Sequence, residues 1–174
     1  MAQEPMPEDG ELVHFVPEAE VHAAVDRLWQ SEHKKLMKLL PGADIQHVGA
    51  TAVPGSLTKG DLDIQVRVTA ADFADAEAVL AAHYQRNAKS DRAIGFASFT
   101  DEKAQPPLGV QLTAIDSPED RFYRFRDVLR AHPPLREAYD TLKRGWEGRS
   151  IAGYRAEKAA FFAELGKIIA SVNT

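Results

Sequence analysis

The sequence predicts an α/β (α+β) fold, strands flanked by helices with a helical C-terminal segment, on three observations. Asp61 to Val68 alternates strictly, with Asp61, Asp63, Gln65 and Arg67 on one face and Leu62, Ile64, Val66 and Val68 on the other. Successive strand side chains point to opposite faces, so this pattern marks a strand with one buried face. Glu18 to Leu40 instead repeats Val21, Val25, Leu28, Leu36 and Leu39 at three- and four-residue steps, the mark of an amphipathic helix. From Ser117 onward the apolar residues follow helical spacing only.

Taken in order, residues 1–16 read as a frayed acidic lead-in, and residues 17–174 as a single domain whose helical part is 117–174. Pro41-Gly42 stops the first helix. Asp44 to Val48 is short and extended in character, and it runs into a Gly/Pro-rich loop, Gly49 to Gly60, ahead of the alternating strand. Ala71 to Ala82 is alanine-rich, with Phe73, Ala76, Val79 and Leu80 as its buried stripe, and predicts a second helix. Ile94 to Thr100 and Leu108 to Ile115, joined by the polar turn Asp101 to Pro107, predict a hairpin. Ser117-Pro118-Glu119-Asp120 has the form of a helix start: serine cap, proline first, acids in the first turn. Helices near Leu135 to Trp146 and Gly153 to Val172 complete the plan.

The chain of 174 residues suffices for one domain that buries roughly two thirds of its unfolded surface. It contains no cysteine, which excludes a disulfide scaffold, a thiolate zinc site and a cysteine nucleophile. A net charge of −5 argues against long nucleic acid as a partner. Met1 to Gly10 lacks the basic and apolar regions of a signal peptide, and no stretch reaches the ~20 apolar residues of a membrane span. The expectation is a cytoplasmic protein that does not enter a membrane.

Chemistry concentrates in His47 to Val68. Asp61 and Asp63 lie two positions apart on a strand, so their side chains leave the same face about 6 to 7 Å apart along the backbone. Two such acids can converge on divalent ions held ~3.5–4 Å apart, the arrangement used in phosphoryl and nucleotidyl transfer. Magnesium suits such oxygen ligands and leaves positions for water and phosphates, with Mn²⁺ as the alternative ion. The amides of a glycine turn at Gly49 can hold a phosphate tail. Alternation alone would put the acids on a solvated strand face; the glycine loop at this spacing favours a binding site.

The glycine turn at Gly49-Ala50, the spacer 51–60 and Asp61-Leu62-Asp63-Ile64 resemble the signature of the nucleotidyltransferase superfamily, the group that includes DNA polymerase beta. More narrowly, the chain is similar to the GrpB-like family through His47-Val48-Gly49, Thr51-Ala52-Val53-Pro54-Gly55, Lys59 and Asp63-Ile64. The matches continue through Ser117-Pro118-Glu119, Phe125-Arg126-Asp127, Leu129-Arg130, Leu142-Lys143, and Tyr154 with Lys158, covering about residues 20–170. The resemblance implies a nucleotidyltransferase-like mixed sheet; it transfers fold better than activity.

Three departures stand out. Ala50 replaces the usual serine, Gln111 and Thr113 stand where the family often has paired histidines, and Asp61 occupies an often apolar position. The superfamily's third carboxylate has no counterpart in Leu108 to Ile115.

The expected metal ligands and catalytic residues are Asp61 and Asp63. Gly49, Ala50, Thr51, Lys59, Gln111, Arg126 and Lys158 are the expected contacts for nucleotide or phosphate. Two functions follow: metal-dependent nucleotidyl transfer from a nucleoside triphosphate to an unknown acceptor, or binding of a nucleotide or other phosphorylated small molecule without catalysis.

Overall fold

The computed structural model describes residues 10–172. Its larger sheet has five strands: β2 (Asp44–Val48), β4 (Leu62–Val68), β5 (Gln85–Arg86), β6 (Phe96–Asp101) and β7 (Leu108–Ala114). They lie in the order β2-β4-β7-β6-β5. Only the central pair β4 and β7 is parallel, so the sheet is mixed. β1 (Val16–Pro17) and β3 (Leu57–Thr58) pair separately as a two-stranded ribbon.

One face is apolar for the reason the alternation gives. Leu62, Ile64 and Val66 of β4 and Leu108, Val110 and Leu112 of β7 form a single core with residues of two helices. These are Val25 and Leu36 of α1 (Glu18–Leu39), and Ala76 and Leu80 of α2 (Phe73–His83). The opposite face was expected to be open, yet Gln65 and Thr113 on it are fully buried. The start of α3 (Phe122–Ala131) covers them: the Tyr123 amide donates to Gln65 Oε1 at 2.9 Å. Buried polar groups need partners. Here Asp120 supplies them, accepting from Gln65 Nε2 at 3.0 Å and from Arg67 Nε at 2.6 Å.

That network corrects one expectation. Ser117 does not cap a helix; residues 117–121 are turns, and α3 begins at Phe122. The capping pattern and an inward turn use the same residue types. Asp120 decides between them here, because its carboxylate goes to Arg67, Gln65 and the Asp116 amide rather than to a helix start.

The remaining helices, α4 (Pro133–Trp146) and α5 (Ile151–Val172), close a second core of Val53, Leu129, Tyr139 and Leu165. The acidic lead-in is also corrected in part. Residues 1–9 lie outside the described residues, but Val13 is fully buried against Ile151 and Tyr154. Its amide donates to Arg149 O at 2.9 Å, and Gly148 N donates to Val13 O at 2.8 Å. Among the described residues no helix is long and apolar enough to cross a membrane.

Candidate functional site

Strand register places Asp63 between Val48 on β2 and Gly109 on β7. Gly49 follows Val48, at a φ of +77° that favours glycine. A Cβ built on Gly49 would stand 2.6 Å from Asp63 Oδ2, and one built on Gly109 would stand 2.7 Å from Oδ1. The carboxylate therefore lies in a slot that exists only because both neighbours lack side chains. A glycine inside a strand marks such a close approach.

Asp63 is half-buried, and no hydrogen bond or ion pair reaches its carboxylate among the described residues. Burial pushes its pKa up to about 6; nearby Lys158 opposes the shift, Asp61 adds to it and Lys59 opposes it. A carboxylate taken from water without a donor is costly, so this group is poised to accept a proton or a cation.

Lys158 approaches from α5 and is likewise half-buried without an ion pair among the described residues. One helical turn earlier, Tyr154 is buried, its hydroxyl 3.0 Å from that of Tyr139 on α4. Burial raises the pKa of both phenols, and the Asp63 charge contributes to each. Gln111 shares the strand face of Gly109, and its Nε2 lies 3.6 Å from the same built Cβ position. Its side-chain amide has no hydrogen bond among the described residues.

The loop above this slot is held internally. Ala50–Ala52 forms a single 3₁₀ turn, closed by Ala52 N to Gly49 O at 3.1 Å and Val53 N to Ala50 O at 3.1 Å. Thr51 spends its hydroxyl proton on Asp61 O at 3.0 Å. Lys59 Nζ lies 3.5 Å from Asp61 Oδ2, so the two charged groups at the loop's end partner each other.

A buried pair clamps the preceding segment. The Leu57 amide donates to Asp140 Oδ1 at 3.0 Å, and Lys143 Nζ donates to Leu57 O at 2.6 Å. Burial lowers the Lys143 pKa to about 8, with Asp140 opposing that shift.

Of the residues expected from the sequence, Gly49, Lys59, Asp61, Asp63, Gln111 and Lys158 gather around one point. Two are engaged elsewhere. Besides its bond to Asp61 O, the Thr51 hydroxyl meets His47 Nε2 at 3.0 Å. Arg126 is pinned to the edge strand, donating to Gln46 Oε1 at 2.8 Å, His47 O at 2.9 Å and Asp127 Oδ1 at 2.8 Å. Ala50 brings no polar side chain.

Among the described residues no three His, Cys, Asp or Glu side chains are grouped to hold a metal ion. The position across from Asp63, where a third acid was sought, is Gly109. Sequence reasoning missed Gly109, Tyr139, Asp140 and Lys143. Gly109 carried a readable signal as a glycine inside a strand, and Lys143 stood only within the Leu142-Lys143 resemblance.

Comparison with known proteins agrees with this architecture. The family model described as "GrpB protein" matches residues 19–167. The UPF0157 protein VC_A0354 of Vibrio cholerae is 31% identical over 167 residues, covering 90% of this chain and 83% of that protein. The crystal structure of conserved protein GrpB from Enterococcus faecalis superposes with a TM-score of 0.54 at 21% identity, over 70% of this chain and 77% of that one, a likeness of fold. The chain belongs to the GrpB family.

Proposed function

We propose that this site binds a phosphorylated small molecule, a nucleoside triphosphate in the first instance, together with one divalent cation. The observation that supports this most is Asp63, a half-buried carboxylate in a two-glycine slot with no protein donor among the described residues. Folding around such a group costs free energy unless something returns its lost interactions. A hard cation does so, and Mg²⁺ is commonly held by one or two carboxylates with water and phosphate oxygens completing its shell. Asp63 and Asp61 match that donor set, and Lys158, which has no ion pair among the described residues and is near enough to oppose the rise in the Asp63 pKa, would be a phosphate partner. Bound Mg²⁺ would supply charge neutralisation and a template for the phosphates.

Two acids, one of them shared with Lys59, fit one ion better than a two-ion clamp. Binding without turnover is therefore the first reading. Nucleotidyl transfer is the second, favoured by the placement of the acids beside the Gly49 turn. In that case an acceptor hydroxyl oxygen would bond to the α-phosphorus and pyrophosphate would leave, the hydroxyl proton passing to water, while Asp63 and Asp61 hold the cation.

Calorimetric titration of ATP in the presence of Mg²⁺ or Mn²⁺ tests the proposal. The wild type should bind only with the metal, and Asp63→Asn should weaken binding by at least about tenfold, the scale of one lost charge-assisted contact. Equal binding by the variant, or none by a folded wild type with either ion, would defeat the reading. Release of pyrophosphate would promote transfer over binding.

A further inference from the structure

A second cavity, of about 100 Å³, opens between the first turns of α1, the 3₁₀ turn and the end of α3. Its walls include Glu18, His22, Asp26, His47, Thr51 and Arg130. The polar groups on it have defined and different roles.

Thr51 has one hydroxyl proton and gives it to Asp61 O. The 3.0 Å contact between Thr51 Oγ1 and His47 Nε2 must then be donated by the imidazole, which fixes the Nε2–H tautomer and leaves Nδ1 as a bare acceptor. Stacking on Trp29, with ring centroids 5.4 Å apart, holds the ring in place. Arg130 uses Nε on Ala52 O at 2.6 Å, and its terminal nitrogens have no partner among the described residues. On the α1 wall, Asp26 takes Gln30 Nε2 on Oδ2 at 2.8 Å, with Oδ1 left over among the described residues, while Glu18 is paired with His22 at 2.7 Å.

The cavity therefore sets a cation against a carboxylate and a neutral acceptor. A phosphate dianion would meet Asp26 and Glu18 as well as Arg130. A zwitterion meets complementary charge at both ends. We infer that this cavity is a second binding site, for a small α-amino acid, its carboxylate on Arg130 and its ammonium between Asp26 and His47 Nδ1. It stands apart from the Asp63 slot, with His47 and Thr51 linking the two through the Asp61 carbonyl.

Nitrogen-detected imidazole spectra of the full chain, titrated with glycine and L-serine, test this. Lactate and inorganic phosphate serve as comparators. The amino acids should move the His47 Nδ1 resonance saturably, as a bare acceptor gains a donor. Asp26→Asn and Arg130→Gln should each weaken that binding by roughly tenfold. Asp26→Asn leaves the loop untouched, so it decides the matter should Arg130→Gln fail to fold. Asp63→Asn should bind the amino acids as the wild type does, which separates this site from the phosphate site. An unmoved His47 signal, an Asp26→Asn variant of wild-type affinity, or phosphate or lactate acting as strongly as serine would overturn the inference.

Discussion

Asp63 lies with its carboxylate between the Cα atoms of Gly49 and Gly109, and the energetic consequence depends on pH. Folding raises its pKa from the ordinary 3.8 to about 6, so the folded chain holds this proton more tightly than the unfolded chain. The corresponding stability is complete below the unfolded value and is lost as pH rises through about 6. Without ligand, the ionised group is a liability at neutral pH. Asp63→Asn should stabilise the free protein on the order of 1–2 kcal/mol above neutral pH, with the gain shrinking to nothing near pH 4. Urea unfolding across that range measures it. A variant destabilised at neutral pH but not near pH 4 would mean that the ionised Asp63 has a protein partner after all.

At the scale of elements, legibility followed length and periodicity. The alternation of Leu62 to Val68 and the stripe Val21-Val25-Leu28-Leu36 were plain, and β4 and α1 fall where those patterns put them. β1, β3 and β5 have two residues each, too short for any periodicity to show. Asp63 could be read because the Gly49 turn precedes a pair of acids on one strand face at the spacing a phosphate and cation site needs. The roles of Tyr139 and Lys143 could not, although Lys143 belonged to the Leu142-Lys143 resemblance: they sit on α4 among ordinary helical residues, and only the packing of α4 brings them to the site. Gly109 joins the two kinds of information, since its place in β7 was legible and its task depends on register with β4. Gly109→Ala should force the carboxylate aside, weaken metal-dependent nucleotide binding, and cost about 1–3 kcal/mol by overpacking. In an Asp63→Ala background the stability penalty should vanish, which thermal melts of the two single variants and the double variant would reveal.

Across the whole molecule, polar contacts tie the sheet to the helices that complete the site. Arg67 on β4 reaches Asp44 on β2 at 2.7 Å and Asp120, just before α3, at 2.6 Å, while Asp120 also holds Gln65. Burial works to raise the Asp120 pKa, but Arg67 and the Asp116 amide outweigh it and leave it below the ordinary value. Removing one member of a buried charged network leaves the others unpaired, so Asp120→Ala should destabilise by about 3–5 kcal/mol, measured by chemical unfolding. A loss well under that would mean that the apolar cores alone position α3. At the other end, Val13 docks against Ile151 and Tyr154, so the segment before α1 braces the helix that presents Lys158. None of these long-range ties has a sequence signature, because each joins residues far apart in the chain.

The carboxyl carbon of Asp63, followed by NMR through a pH titration with and without Mg²⁺, probes the proposed cation site directly. The free protein should titrate near pH 6, and Mg²⁺ should drive the midpoint down by at least about one unit, as a bound cation favours the ionised form. A midpoint near 6 that Mg²⁺ leaves unmoved would contradict cation binding at this carboxylate.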